Sequence, residues 1–488
     1  MSETCTSFID GRWTDGAGAH RIPVISPIDE SEVGQIAEAN TAEVGRAVAA
    51  ARAAFDRGEW RRAPVAKRQQ VLRHAAALIR EQADELAERE CANAGLPMRQ
   101  IKERHVQRAA GNFEFFADFI GQTSNESYEQ DAPFLTIVRR EPVGVAALVA
   151  PWNAPLALAT MEMAGALAFG NCCILKPSEL TPLEFVPLME LLREAGIPDG
   201  VVGLVNGRGP VTGAALVEHP GIDVVAFIGG TETGRSIARA AGGNLKKYVA
   251  ELGGKSANII TADADFERAL DASLVGIFSN NGQQCLAGSR ILVDESIAER
   301  FIERFVDRTR QIKVGNPRDL STEVGPVISK GQYDRVLAFA ADADVLCGGK
   351  RAEGFDKGYY VAPTVARAHD NTTRLCQEEI FGPFATFLTF KGLDQAIEIA
   401  NQSEFGLVAY VWSNDLPSVM RVQDGLQAGT IWVNTPVARD LRAPFGGFKN
   451  SGVGRTGGLS SRALFTEEKV VTIPMGTFPI AQMGIGGA

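Results

Sequence analysis

Histidine is scarce in this chain, and so are several other things. Five histidines occur in 488 residues (His20, His74, His105, His219 and His369), none inside a motif that carries chemistry. A cysteine hydrolase or acyltransferase, which sets a histidine beside its thiol, is therefore disfavoured, and no metal site is expected. Lys and Arg (49) fall short of Asp and Glu (59), leaving a net charge of −10 with no basic block. Nucleic acid and anionic membrane are not expected partners. No run of about 18 apolar residues occurs, so no membrane span is expected. The longest candidate, VGVAALVAPWNAPLALATMEMAGALAFG, is interrupted by prolines, Asn153 and Glu162. The start, MSETCTSFIDGRWTDG, lacks a charged segment followed by an apolar core, so no secretory signal is expected. Seven cysteines without paired spacing fit reduced thiols in a cytoplasm. Cys172 and Cys173 lie in a strand-like apolar run and read as core.

What is present suits a large globular protein. The length exceeds one ordinary core, which implies two or three structural units, and 45% hydrophobic with 22% charged residues is the balance of a soluble fold. Residues 41–90 carry apolar positions at helical spacing, starting at a Thr41 cap with Glu43 behind it. RQIKERHVQRAAGNFEFFADFIG predicts another amphipathic helix, and FLTIVRREPVGV an exposed strand. From residue 143, short apolar runs (VGVAALVA, CCILKP, VVGLVNG, VVAFIGG) alternate with helix-like segments such as LEFVPLMELLREAG. This pattern predicts an α/β fold with a parallel sheet covered on both faces. A second alternating series runs from SANIITADAD to GTIWVNT. The tail EEKVVTIPM predicts a strand with no neighbour in sequence, free to pair with a distant region or another subunit.

Five stretches carry candidate chemistry. NNGQQCLAGSR, residues 280–290, sets Cys285 between Gly282 and Gly288, where backbone can approach a ligand closely. In VAPWNAPL, Asn153 follows a buried-type strand; its amide can donate to a developing oxyanion, or satisfy turn backbone. In ILKPSE, Lys176 and Glu179 end another strand, where Lys suits a phosphate and Glu a ribose hydroxyl, or both belong to a solvated loop. FIGGTETGRS runs from a strand through glycines into a helix whose start suits a pyrophosphate, although the G-x-G-x-x-G fingerprint is absent. ELGGKSANII fails as a P-loop because position 249 is Val. Its Glu251, at a strand end before two glycines, is placed for general-base work if shielding raises its pKa.

Taken in order, PWN, KPSE, GGTETG, ELGGKS, GQQC, EEIFGP and PFGGFKNSGVGR resemble the aldehyde dehydrogenase superfamily from about residue 8 to about residue 475. The resemblance implies a Rossmann-like parallel-sheet cofactor domain over 1–122 and 142–252 and an α/β catalytic domain over 253–466. Oligomerisation strands at 123–141 and 467–480 would make a homodimer or homotetramer. It implies Cys285 as the nucleophile, forming a thiohemiacetal and then a thioester, with Asn153 and the Cys285 backbone N–H holding the oxyanion and Glu251 activating water. Trp152, Lys176, Glu179, Gly209, Gly230 and Thr233 fall at cofactor-contact positions. Glu379 and Phe381 would fix the nicotinamide ribose and ring. Glu179 would repel a 2′-phosphate, so NAD is the expected cofactor, with a small aldehyde as substrate. Two departures stand out: Gly230 replaces the usual Ser, and Thr456 replaces a Glu that carries protons in some members.

For the substrate, RDLRAPFGG and QRAAGNFEFFAD resemble the muconic semialdehyde branch, in which arginines at the positions of Arg108 and Arg439 hold substrate carboxylates. The competing expectation is an aromatic or broad-range aldehyde (benzaldehyde type) in a pocket built by Phe115, Phe116 and Phe445.

Overall fold

The computed structural model describes residues 3–129 and 133–484. Positions 1–2 of the expected cofactor domain and 130–132 of the expected oligomerisation segment lie outside the described residues. Two large sheets dominate. The first has eight strands, with Val145–Val149 between Val224–Ile228 and Cys172–Lys176, all parallel. Lys247–Glu251 extends the parallel run on one side and Val202–Leu204 on the other. The four apolar runs read from the sequence are thus neighbouring strands, buried as a sheet covered on both faces requires. The second sheet has seven strands and holds Ala257–Ile260, Arg290–Asp294 and Val408–Trp412 near its centre.

Register is what makes this fold a site. Val149 pairs with Lys176 and Phe227, and Ile228 pairs with Glu251. The carboxyl ends of the strands therefore lie along one edge, and the residues just past them (Trp152, Asn153, Glu179, Gly230) arrive at that edge together. Open α/β sheets place their ligand crevice there. Pro155 opens the helix Pro155–Ala168, a position suited to its fixed φ, so Asn153 is held in the short turn between strand and helix.

The tail strand Thr466–Pro474 pairs antiparallel with Phe134–Pro142 along its whole length. Glu126–Glu129 completes that three-stranded sheet, in which Thr466–Pro474 is an edge. The expected helical region at 41–90 is broken into Thr41–Arg57, Val65–Glu81 and Ala83–Ala94. Asn40, not Thr41, caps the first helix: its side-chain oxygen accepts from the Glu43 N–H at 3.0 Å, which satisfies an otherwise orphaned donor.

Candidate active site

Cys285 stands in the loop that joins the helix Phe266–Phe278 to the strand Arg290–Asp294. Three consecutive residues before it, Asn280, Asn281 and Gly282, have left-handed backbone (φ 56°, 55° and 73°). Asn tolerates that region better than most residues, and here its side chains pin the loop. Asn280 donates to the carbonyls of Asn153 (2.6 Å) and Gln283 (3.1 Å), and Asn281 to those of Gly95 and Pro326. Gly282 is forced twice over: a Cβ there would lie 2.1 Å from the Gly382 backbone. Behind the thiol, a Cβ on Gly254 would lie 2.4 Å from the Cys285 carbonyl. The small residues around Cys285 serve close backbone packing.

Two clefts meet this loop, and another joins one of them. One, of about 660 Å³, is lined by Trp152, Lys176, Glu179, Gly209, Gly230 and Thr233. The next, of about 450 Å³, shares Trp152, Gly230 and Thr233 and adds Asn153, Glu251, Cys285, Glu379 and Phe381. The third, of about 420 Å³, shares Asn153 and Cys285 and runs out past Arg108, Arg439, Trp432 and Phe445. Cys285 and Asn153 stand at the junction of the last two. Every expected catalytic, cofactor and substrate residue lines one of these clefts.

The electrostatics differ from point to point. Burial pushes the Cys285 thiol up to about 12, with Glu379 and Glu251 adding to the shift, so the resting sulfur keeps its proton. The Asn153 amide donates to the Gln283 carbonyl at 2.9 Å, which fixes its plane and leaves a second N–H. Glu251 is 6% exposed, and neither carboxylate oxygen has a hydrogen-bond partner among the described residues. Burial, then Glu162, holds its pKa well above the ordinary range, against Arg439 and Arg455. Lys176 is 3% exposed, not solvated, and contacts Glu179 at 3.2 Å. Glu379 accepts from the Gly254 N–H at 2.9 Å, and burial carries it up to about 7. Phe381, at φ 60°, is fixed by Gln332 donating to its carbonyl (2.7 Å), and its ring meets Trp152 edge-on at 5.2 Å.

Arg108 and Arg439 come from distant parts of the chain to one wall of the third cleft. Neither forms an ion pair with a protein carboxylate among the described residues; both guanidinium groups approach the Met161 sulfur, at 3.9 and 3.0 Å. Burial, then Arg439, lowers Arg108 to about 9, so it remains charged near neutrality.

The expected aromatic pocket is corrected in part. Phe116 is fully buried and Phe115 half-buried; they pack on each other, on Phe119 and on Phe169, on the inward face of an amphipathic helix, away from the clefts. Phe445 does line the third cleft, beneath the Arg439 guanidinium at 4.4 Å. Sequence reasoning also missed residues that belong to the site: Arg104 and His105 on the cleft wall, Met161, and Glu162. His105 is held through Nδ1 by Glu90, not by a thiol. Glu162 had one signal, the single charge in a long apolar run.

Comparison with known proteins fits this arrangement. The aldehyde dehydrogenase family model matches residues 13–471. The chain belongs to the aldehyde dehydrogenase family. It is an NAD-dependent oxidoreductase. Among its relatives, 5-carboxymethyl-2-hydroxymuconate semialdehyde dehydrogenase of Escherichia coli is 42% identical over 92% of this chain and 98% of its own. Human (Homo sapiens) retinal dehydrogenase 2 is 41% identical over 96% and 91%. The crystal structure of PnpE in complex with nicotinamide adenine dinucleotide superposes with a TM-score of 0.95 at 39% identity, over 98% of this chain and 99% of that one. The cleft fits such a cofactor on its own terms. It offers a buried ammonium beside a carboxylate, the start of the helix Thr231–Gly243, and open space beside Gly209 and Gly230, where a Cβ would meet nothing within 4 Å.

Proposed function

We propose that this dehydrogenase oxidises an aldehyde that also carries a carboxylate, of the muconic semialdehyde type from aromatic catabolism, to the corresponding dicarboxylate. The observation that carries the reading is the pair of half-buried guanidinium groups of Arg108 and Arg439, without an ion pair among the described residues, in the cleft that ends at Cys285. Among the described residues, no Asp or Glu lines that cleft. A cation partly shielded from water without a partner is costly, and an incoming carboxylate would compensate it through bidentate hydrogen bonds. The similarity to a relative named for a muconate semialdehyde supports the same reading.

In the proposed reaction, the Cys285 S–H bond breaks with its electron pair kept on sulfur, the proton passes to water in the cleft, and the sulfur forms a bond to the aldehyde carbon as the carbonyl π pair moves to oxygen. The free N–H of Asn153 and the Cys285 backbone N–H receive the oxyanion. A bound NAD would supply the hydride acceptor for oxidation of the thiohemiacetal on Cys285 to a thioester. Trp152, Lys176, Glu179, Gly209, Gly230, Thr233, Glu379 and Phe381 would hold it, with Glu179 favouring a free 2′-hydroxyl over a phosphate. Glu251 then takes a proton from water, the hydroxide adds to the thioester carbon, and the thiolate leaves. We assign residues 1–122 and 142–252 to the cofactor domain, 253–466 to the catalytic domain, and 123–141 with 467–480 to subunit pairing. The edge position of Thr466–Pro474, with Val470 and Ile473 exposed, supports a homodimer or homotetramer. Seven free cysteines suit a cytoplasmic setting.

Trp432 and Phe445 favour a second reading, a neutral aromatic aldehyde, but the guanidinium over Phe445 puts charge on that wall. The test is kcat/KM with NAD for 2-hydroxymuconic semialdehyde and benzaldehyde, in wild type and in the double variant Arg108→Ala/Arg439→Ala. The reading expects the semialdehyde to be preferred, and the double variant to lose about 100-fold or more on that substrate alone, as for two lost charge-assisted contacts. Preference for benzaldehyde, or equal losses on both, overturns it.

A further inference from the structure

His105 lies in the π-helical turn Ile101–Val106, which runs directly into the helix Gln107–Ile120 that carries Arg108. Its Nδ1 meets Oε1 of Glu90, a fully buried residue of the helix Ala83–Ala94. The other carboxylate oxygen, Oε2, has no hydrogen-bond partner among the described residues. A buried carboxylate with so little compensation is costly, and a plain packing contact would not require one. What a carboxylate does for an imidazole is definite. It only accepts, so Nδ1 carries the hydrogen, and the ring is held in one orientation and one tautomer. In the neutral ring, Nε2 is left with its lone pair.

The place of that lone pair gives it a use. His105 keeps 7% exposure and lines the third cleft, and its Nε2 has no hydrogen-bond partner among the described residues. The nearby Gln100 amide is already spent in both directions on Asn280: it donates to Oδ1 at 2.9 Å and accepts from the backbone N–H at 3.0 Å. The wall around the imidazole is cationic. Arg104 precedes it, and Arg108 follows at the i, i+3 spacing of neighbours on one helix face; both line the same cleft. A fixed acceptor therefore stands beside a guanidinium group. The ligand that answers both carries a hydroxyl on the carbon next to its carboxylate. A plain carboxylate would answer the arginine and leave Nε2 without a donor.

We propose that His105, oriented by Glu90, is a substrate-specificity residue whose Nε2 accepts a hydrogen bond from a hydroxyl adjacent to the substrate carboxylate. The inference rests on Arg108 and Arg439 receiving that carboxylate. The end of the substrate remote from the aldehyde is thereby matched as a 2-hydroxy carboxylate: the arginines take the charge, and the imidazole takes the neighbouring O–H. Glu90 does not line the cleft. It is a positioning residue that acts only through the ring it holds. A site built to pair with a hydroxyl discriminates against the analogue that lacks it, because its own polar group is then left unpaired.

The experiment measures kcat/KM with NAD for 2-hydroxymuconic semialdehyde and for muconic semialdehyde, which lacks the hydroxyl. It compares the wild-type enzyme with His105→Asn, His105→Gln, Glu90→Leu and Glu90→Gln. An Asn amide reaches the place of Nδ1, so it still donates to Glu90 and keeps the buried carboxylate paired, but it puts nothing at Nε2. A Gln amide reaches the place of Nε2. The ratio of kcat/KM for the hydroxylated over the unhydroxylated substrate should fall about 10-fold in His105→Asn, as for one lost hydrogen bond. The loss should sit mainly in KM, because the contact is remote from the reacting carbon. His105→Gln should restore most of the ratio. Glu90→Leu should lower it, and Glu90→Gln, whose amide oxygen still accepts from Nδ1, should keep it. A ratio that His105→Asn or Glu90→Leu leaves unmoved, or that His105→Gln lowers as far as His105→Asn does, overturns the proposal and leaves His105 as a tie between two helices. The double variant Arg108→Ala/Arg439→Ala is the control. If it keeps the preference for the semialdehyde over benzaldehyde, the carboxylate reading and this inference fall together; if it loses that preference while His105→Asn leaves the hydroxyl ratio in place, only the inference falls.

Discussion

The two ends of the cleft are built on different principles. At the cofactor end, residues come from the carboxyl ends of adjacent parallel strands, and the one buried charge, Lys176, is paired with Glu179. At the Cys285 end, Arg108, Glu162, Glu251, Cys285 and Arg439 come from five separate elements or loops; Glu162 and Glu251 are buried and Arg108 and Arg439 half-buried, and none of these four has an ion-pair partner among the described residues. The first end is a finished electrostatic object that a ligand enters. The second is unfinished, and on the proposed reading substrate and reaction intermediates supply what it lacks. Mutations should therefore act differently at the two ends: on the chemical step at one, on cofactor affinity at the other.

The largest effect should come from Cys285→Ala. Turnover should drop by about 10⁴-fold or more, the scale of removing a nucleophile, while the Kd for NAD measured by fluorescence titration stays within about twofold, since the larger cleft does not include this residue. A weakened Kd would break the distinction between the ends. Asn153→Ala should lower kcat by about 10²–10³-fold, as for loss of one oxyanion donor. Its KM for NAD should hold, which steady-state kinetics at varied cofactor concentration would check. The smallest effect belongs to the cofactor end. Gly230→Ser places a Cβ in open space and adds one hydroxyl donor at the helix start, so KM for NAD should fall by about threefold with kcat unchanged, the worth of one ordinary hydrogen bond. A change in kcat instead would mean that this turn communicates with the chemistry.

The same contrast explains what was legible in the sequence. Strand–turn–helix alternation is local, so the parallel sheet, the turn holding Asn153 and the placement of Lys176, Glu179 and Glu251 at strand ends followed from short stretches. The substrate end depends on contacts between residues far apart in the chain, such as Met161 with Arg439, and no periodicity encodes those. Phe115 and Phe116 show the limit plainly: as aromatic residues they suggested a pocket wall, but helical geometry sends Phe116 inward to Phe169. Glu162 lay in view as an interruption of an apolar run, and only burial without a partner gives it chemical meaning. The break between helices at Gln82 carries no Gly or Pro and was invisible locally.

The central claim is that oxidation passes through a thioester on Cys285 that Glu251 helps water to cleave. The most direct measurement is intact-protein and peptide mass spectrometry of Glu251→Gln after mixing with NAD and 2-hydroxymuconic semialdehyde, alongside the burst of NADH. The account predicts one NADH per active site, followed by slow turnover, with the mass of the acyl group found on the peptide that carries Cys285. Continued turnover at the wild-type rate with no adduct on Cys285 would contradict it.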